Sequence, residues 1–236
     1  MWAYTTRHAT ARAHRKEHTL QPADLTFKCV QIADHLLYLV LFDPQHASAV
    51  KESWGNVGLG LSVRAAEQLL EGIDNLVEVP VPDANSPPPP TWTPEIDAHG
   101  ALRDRIASLV NRAPRRAAAA VECAPSDVFL YPTGMGAVHH SVHTVIRHRP
   151  GTVVVLGVVF HNSHHHLLEE SPHGFKHVGR VDPEAMDEFE DWLVAQAVEG
   201  KPVSYVLVEF PGNPTLDTPD LARLKRLVST LRIPII

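Results

Sequence analysis

The chain has 236 residues, 44% of them hydrophobic, which is enough apolar material for one large domain or for one domain and a smaller segment. Its 21 basic and 27 acidic side chains give a net charge of -6, which argues against nucleic acid or an anionic membrane as a partner. The two cysteines, Cys29 and Cys123, support neither a disulfide framework nor a thiolate zinc site, so a reducing, intracellular setting is expected.

Residues 1–34 are predicted to be an N-terminal extension that is partly disordered. Residues 1–19 lack the apolar middle of a secretory signal, and no run in the chain approaches the roughly 20 apolar residues that span a bilayer. Basic side chains precede the first acid, Glu17, as they also do in organellar transit peptides, but an unstructured basic terminus is a commoner explanation. A soluble, cytoplasmic protein is therefore expected, with an organellar location as the alternative.

Residues 35–93 are predicted to be a separate N-terminal segment. Its first apolar run, 35–42, predicts a strand. Residues 44–55 predict a short helix that Gly55 stops.

A second helix of this segment is predicted to begin after Ser62 and to run to Gly72. Ser62 is placed to cap it, and its apolar face would bury Ala65, Ala66, Leu69 and Leu70. The proline-dense stretch 79–94 predicts a linker or a wrapped surface arm, because proline removes backbone donors and favours extended geometry. A proline-rich ligand for an SH3-type domain is the less common alternative.

Residues 94–236 predict an α/β fold. A helix is expected to begin at Pro94 and to place Leu102, Ile106 and Leu109 on one face. Apolar runs then alternate with amphipathic ones, which predicts a mostly parallel sheet with helices on both faces. The predicted order is strand 127–131, helix 134–148, strand 152–160, polar loop 161–170, helix 182–200, strand 203–210, helix 218–231 and the opening of a further strand at 233–236.

The turn 133–136, "TGMG", is a candidate anion site. Gly134 and Gly136 allow a tight turn, and the first N–H groups of the helix that follows, with its dipole, can hold a phosphate. Neither the GxxxxGKS/T motif of nucleotide triphosphatases nor the GxGxxG motif of dinucleotide-binding proteins occurs here. An ordinary capped turn is the alternative interpretation.

Two further candidates lie at predicted strand ends, where ligands bind in parallel sheets. Phe160 could stack on a flat ring, although core packing alone would also explain it. Asn213, between Gly212 and Pro214, could donate its amide to a ligand oxygen, although Asn before Pro is also a good turn former. Together with the anion turn, these residues suit a phosphorylated aromatic cofactor.

Two motifs resemble the Cys/Met-metabolism family of pyridoxal-phosphate enzymes, and most closely the fungal cystathionine gamma-synthase type. "LYPTGMGAVH" resembles that family's phosphate-binding turn, and "VEFPGNPTLDTPDLARLKRL" resembles its E-x-P-x-NP loop and the helix that follows. "WGNVGLGLSVRAAE" resembles a third segment, and the similarity covers roughly residues 35–236. The resemblance implies a fold of the aspartate-aminotransferase-like type (fold type I), with residues 94–236 as an incomplete large domain beside a helical N-terminal segment.

The resemblance also implies the role of each site residue. Gly134 and Met135 would bind the phosphate of pyridoxal 5'-phosphate through backbone amides, with Thr133 beside them. Phe160 would stack on the ring where the family usually has Tyr, and Asn213 would contact the ring hydroxyl. Arg64 matches an arginine that reaches the phosphate in the neighbouring subunit, although Val63 and Ala65 depart from the pattern around it.

The resemblance further implies an Asp that pairs with the pyridine nitrogen and a Schiff-base Lys, and both positions would follow Ile236. We therefore expect the chain by itself to bind cofactor weakly or not at all and to be inactive. The complete enzyme would carry out gamma-replacement on an activated homoserine and form homo-oligomers. The alternatives are another pyridoxal-phosphate lyase or sulfhydrylase, and a non-catalytic truncated paralogue that binds a full-length subunit.

Sixteen histidines also raise the question of a metal site. His139 and His143 are one helical turn apart, and His161 is followed closely by His164, His165 and His166, spacings that could chelate zinc or nickel. No carboxylate or cysteine converges with them in the sequence. Surface and helix-packing roles are therefore favoured, and no metal site is predicted.

Overall fold

A computed structural model of the protein describes residues 22–33, 35–58, 60–80, 96–112 and 122–236. The chain divides into two compact units, one comprising Met1–Ser53 and Gly60–Pro132 and the other Trp54–Leu59 and Thr133–Ile236. None of the helices in these described ranges has the length and apolar character that crossing a lipid bilayer requires.

The first unit contains a three-stranded antiparallel sheet in the order β2-β1-β3. The strands are β1 Leu25–Ile32, β2 His35–Phe42 and β3 Val77–Val79. The strand predicted at 35–42 is confirmed, whereas β1 and β3 were not predicted. β1 lies inside the predicted extension. Its buried and exposed positions are mixed, and polar residues interrupt its apolar ones, so the sequence shows no continuous apolar run there. β3 is only three residues long and adjoins the proline-dense stretch.

The helices α1 Ala47–Val57 and α2 Val63–Leu70 correct two sequence predictions. α1 does not stop at Gly55; it ends at Val57, where Gly58 takes a positive φ of 64°. Ser62 caps α2 as predicted, its Oγ accepting the N–H of Ala65 at 3.1 Å. On α2, Leu69 is buried and the two alanines are half-buried, but Leu70 is 61% exposed, so its predicted burial is wrong.

The strand predicted at 127–131 does not form. The segment lies along helix α3, Asp97–Val110, where Arg103 donates its Nε–H to the carbonyl oxygen of Val128 at 3.1 Å. Phe129 is 75% exposed, so the apolar run is not buried in a sheet. Pro94 lies outside the described residues, and the three apolar side chains predicted to share one face of this helix are exposed: Leu102, Ile106 and Leu109.

The second unit is an α/β sandwich, which confirms the predicted fold class. Its parallel sheet has the order β5-β4-β6. The strands are β4 Thr152–Leu156, β5 Phe175–Val178 and β6 Val203–Val208, and the helices are α4 Gly134–His148, α5 His161–Glu169, α6 Pro183–Val198 and α7 Leu221–Thr230. The expected opening of a strand at 233–236 is a parallel bridge, in which the N–H of Ile236 donates to Val206 at 2.9 Å.

Apolar side chains cover both faces of this sheet. In β4, Val154 and Leu156 face the cluster formed with α6 and α7, whereas Val153 and Val155 face the cluster that includes Val142 of α4 and Leu167 of α5. Burial on both faces explains why β4 and β6 are mostly apolar rather than alternating between apolar and polar residues. This is the feature that made them visible in the sequence.

Two strands of the second unit end earlier than predicted, and one helix and one strand were not predicted. β4 ends at Leu156 because Gly157 turns with a φ of 79°, and β6 ends at Val208. The predicted polar loop at 161–170 is helix α5, and β5 was not predicted. The polar composition of α5 hid one buried face, on which Ser163, His166 and Leu167 lie three and four residues apart.

Removing a buried hydroxyl group from the sheet is expected to stabilise the fold. Tyr205 of β6 is fully buried, and its hydroxyl has no hydrogen-bond partner among the described residues. Burial raises the pKa of this phenol, so the group stays neutral. Tyr205→Phe should raise the free energy of unfolding by about 1 kcal/mol, since an unpaired buried polar group is costly. Urea denaturation would measure the change.

The matched control, Tyr205→Leu, keeps the site apolar but removes ring volume, so it should lower the free energy of unfolding. A loss of stability in Tyr205→Phe itself would show that the hydroxyl has a partner and would contradict the prediction.

Candidate functional site

The start of α4 is held by the hydroxyl of Thr133. This residue is extended, with φ -145° and ψ 159°, and its Oγ1 accepts the N–H of Gly136 at 2.9 Å. The same hydroxyl donates to the carbonyl oxygen of Gly58 at 2.7 Å. One side chain therefore both caps α4 and fixes it to the residue that follows α1. Residues 54–59 and 133–236 belong to the same compact unit.

Gly58 packs against the start of α4, and this contact was not predicted from the sequence. A Cβ added there would lie 2.5 Å from the backbone nitrogen of Gly136 and 2.6 Å from Cβ of Met135, and it would also collide with Oγ1 of Thr133. Its φ of 64° adds a second reason for glycine. Gly58 lies inside the segment "WGNVGLGLSVRAAE", which resembles a segment of the family. The residue pattern of that segment does not indicate a contact with Thr133.

Two backbone amides at the start of α4 are available to a ligand. Gly136 N–H is used by the cap, but the N–H groups of Gly134 and Met135 donate to no part of the chain that the structure describes. A Cβ added at Gly134 would meet no atom within 4 Å, so the space around this residue is open. The 15-residue helix also directs the positive end of its dipole here. These features fit an anionic group of phosphate size.

Phe160 lies at the N-terminus of α5, beyond the end of β4. The residue is 54% exposed, and its backbone N–H donates to Oε2 of Glu209 at 2.9 Å. Ser163 Oγ lies 3.4 Å from Oε1 of the same carboxylate and 3.8 Å from Sδ of Met135. Glu209 follows β6, so its carboxylate joins the ends of β4 and β6 to the start of α5. Ser163 and Glu209 were not predicted as site residues, although the glutamate is part of the quoted loop motif.

Asn213 lies in the loop after β6, and its side chain is exposed. The N–H of Gly212 donates to the carbonyl of Asp217 at 2.9 Å, which closes this loop. A Cβ added at Gly212 would lie 3.3 Å from the carbonyl oxygen of Val158, so the loops after β4 and β6 touch. The peptide bonds Phe210-Pro211 and Asn213-Pro214 are both cis.

The structure thus places five predicted site residues in one unit: Thr133, Gly134, Met135, Phe160 and Asn213. Arg64 belongs to the other unit, on α2, and its side chain is exposed, so its contact with a phosphate stays a prediction. Three lysines have neighbours that are not predicted site residues. Lys28 pairs with Glu78, Lys201 pairs with Glu199, and Lys176 lies over the ring of Trp192.

Known proteins resemble the chain across the residues that form this site. Residues 63–234 match the family described as "Aminotransferase class I and II". The chain is 30% identical over 200 residues to alanine racemase ungC of Aspergillus violaceofuscus, an alignment that covers 81% of this chain and 34% of that protein.

Two cystathionine gamma-synthase relatives also align. The cystathionine gamma-synthase-like enzyme iboG2 of Amanita muscaria is 27% identical over 258 residues, covering 88% of this chain and 40% of that protein. The cystathionine gamma-synthase of Neurospora crassa is 29% identical over 116 residues, covering 47% of this chain and 18% of that protein. The chain therefore spans well under half the length of these curated relatives. No solved structure matches it.

Substituting Gly58 tests the packing of the turn. Gly58→Ala should lower the free energy of unfolding by about 1 to 3 kcal/mol, because its Cβ meets backbone and side-chain atoms of the turn and its φ is positive. Gly55→Ala is the matched control: Gly55 lies inside α1 and a Cβ there meets nothing within 4 Å. This control should be neutral or stabilising by up to about 1 kcal/mol. Equal effects of both substitutions in urea denaturation would contradict the contact.

Proposed function

The chain belongs to the aminotransferase class I and II family, whose members depend on pyridoxal phosphate, and we propose that its second unit holds that cofactor. Relatives named cystathionine gamma-synthase confirm the family resemblance seen in the sequence. In this proposal the start of α4 binds the phosphate, Phe160 stacks on the pyridine ring, and the amide of Asn213 reaches the ring hydroxyl.

The observation that carries the proposal is the pair of uncommitted amides at the start of α4. Thr133 supplies the cap through its side chain, so the N–H groups of Gly134 and Met135 remain for a ligand. Two N–H donors and a helix dipole aimed at one open volume match a phosphate dianion better than a neutral ligand.

The loops after β4 and β6 supply the residues that would contact the pyridine ring. Phe160 has an exposed ring at the end of β4, and its backbone is fixed by Glu209, so a flat ligand can stack on it without ordering the loop. Asn213 is exposed on the loop after β6, which touches the loop after β4 through Gly212 and Val158. Phe160 offers the face of a ring but no hydroxyl, so it can stack but cannot transfer a proton.

When bound, pyridoxal phosphate supplies an electron sink for reactions at the α-carbon of an amino acid. We therefore propose an amino acid as the substrate of the whole protein. Gamma-replacement on an activated homoserine by cysteine is the first candidate, and it is supported by the relatives named cystathionine gamma-synthase or cystathionine gamma-synthase-like.

Alanine racemisation is the second candidate. It is supported by the relative named alanine racemase, which is 30% identical over 81% of this chain. Both candidates use the same phosphate turn and ring-binding loops, so these parts of the chain do not discriminate between them. A lyase or sulfhydrylase reaction and a non-catalytic role beside a full-length subunit also remain alternatives, and self-association stays a prediction.

Phosphate binding is tested at Gly134, the first residue of α4. Gly134→Pro removes one N–H, yet proline suits the first helical position and the preceding Thr133 is extended as proline requires. We expect the protein as its natural source expresses it to bind pyridoxal phosphate about tenfold or more weakly when it carries this substitution, since hydrogen bonds to charged groups contribute about 1.5 to 3 kcal/mol. Isothermal titration calorimetry would measure the affinity.

Gly134→Ala is the matched control, because it adds a side chain in open space and keeps the N–H. It should bind with the affinity of the unsubstituted chain, and pyridoxal without the phosphate should not distinguish the two variants. Equal affinities of Gly134→Pro and Gly134→Ala for pyridoxal phosphate would place the phosphate elsewhere.

The reaction is tested on the protein as its natural source expresses it, with pyridoxal phosphate added. Cystathionine formed from an activated homoserine ester and cysteine would support the first candidate. D-alanine formed from L-alanine, detected by chiral chromatography, would support the second candidate instead. If neither product forms at saturating cofactor, the non-catalytic role would be favoured.

A further inference from the structure

Three histidines of the second unit meet between α4 and α5. His139 and His143 lie one turn apart on α4, and His166 lies near the end of α5. One nitrogen from each ring lies within 4.8 Å of the others, and His139 Nδ1 is 3.0 Å from His166 Nε2. His139 is 4% exposed and His166 is fully buried.

A carboxylate lies beside this group. Glu170, the residue that follows α5, places Oε2 4.0 Å from Nε2 of His143, and its side chain is buried. Three imidazoles from two adjacent helices thus come together in a largely buried position, and one carboxylate lies beside the ring of His143. This convergence was not predicted, because Glu170 and His166 are far from the α4 histidines along the chain.

The chemistry of these side chains fits a divalent cation. Neutral imidazole offers one ring nitrogen as an electron-pair donor, and zinc is bound by His nitrogen and carboxylate oxygen in tetrahedral sites. Nitrogens about 2.0 Å from a shared zinc would be separated by about 3.3 Å. The observed separations, 3.0 Å between His139 Nδ1 and His166 Nε2 and at most 4.8 Å within the group, bracket that value.

We propose that His139, His143 and His166, with Glu170 as the fourth ligand, bind one divalent metal ion of the zinc type. All four protein ligands are supplied by the chain, which is the arrangement of a structural rather than a catalytic zinc site. Such an ion would tie α4 to α5. These helices begin at Gly134 and His161, so the ion would also fix the phosphate turn relative to the Phe160 loop. The metal site does not depend on the proposed function.

Two other histidines on α5 could bind metal, so the experiment needs a control for them. The rings of His161 and His165, one turn apart, lie 4.4 Å from each other, and His161 is exposed. A histidine pair with this spacing, half-buried at His165, can bind metal adventitiously. The group His139, His143 and His166 differs from it by having three ring nitrogens together, two of them on buried side chains.

The experiment titrates the metal-free 236-residue chain with ZnCl2 and records stoichiometry, affinity and melting temperature. We expect one ion per chain and a zinc-dependent rise in melting temperature. His143→Gln should weaken binding at least about tenfold and abolish that rise. His148→Gln changes an exposed histidine on the same helix and should leave both unchanged. The double variant H161Q/H165Q should also leave the buried site unchanged.

Two outcomes would overturn the proposal. One is the absence of stoichiometric zinc binding, and the other is binding that survives in His143→Gln and disappears in H161Q/H165Q. Circular dichroism of metal-free His143→Gln would show whether the variant folds. Should it not fold, the visible spectrum of the Co2+-loaded unsubstituted chain decides, because tetrahedral bands support the site and an octahedral spectrum contradicts it.

Discussion

The hydroxyl of Thr133 is the contact on which the candidate site depends. It accepts the N–H of Gly136 and donates to the carbonyl of Gly58, so it starts α4 and attaches it to the end of α1. The first N–H groups of a helix have no carbonyl acceptor within it, and the cap uses only that of Gly136, so the N–H groups of Gly134 and Met135 remain for a ligand. Gly58 belongs to the same set of contacts, since any side chain there would occupy the space of the turn.

A second contact organises the other half of the site. The Glu209 carboxylate, at the end of β6, accepts the N–H of Phe160 and lies within hydrogen-bond distance of Ser163, at the start of α5. A negative charge at a helix N-terminus is favourable, so this arrangement fixes the aromatic residue without an added cation. The turn at Gly134 and the ring of Phe160 are thus positioned by two different helix starts, and Met135 and Ser163 bring those starts together.

Much of the second unit was predictable because its strands are buried on both faces. β4 and β6 are mostly apolar, and α6 and α7 are amphipathic, so their types follow from the sequence pattern. α5 and β5 were not predictable, because α5 carries many histidines and β5 is only four residues long. The strand predicted at 127–131 failed for the opposite reason: the run is apolar, but Phe129 is exposed and the segment follows α3 instead of joining a sheet.

By itself the sequence determined that α4, β4, α6, β6 and α7 follow one another in the second unit, and it determined the family. It also predicted an anion site at the turn that begins α4. These are local properties, since they depend on neighbouring residues and on motifs a few residues long. Only the tertiary structure decided that Gly58 supports Thr133, 75 residues away, and that Glu209 holds Phe160, 49 residues away. It also brought His166 against His139, 27 residues earlier. Such contacts arise from how parallel strands and their crossover helices pack, and no short stretch of sequence carries that information.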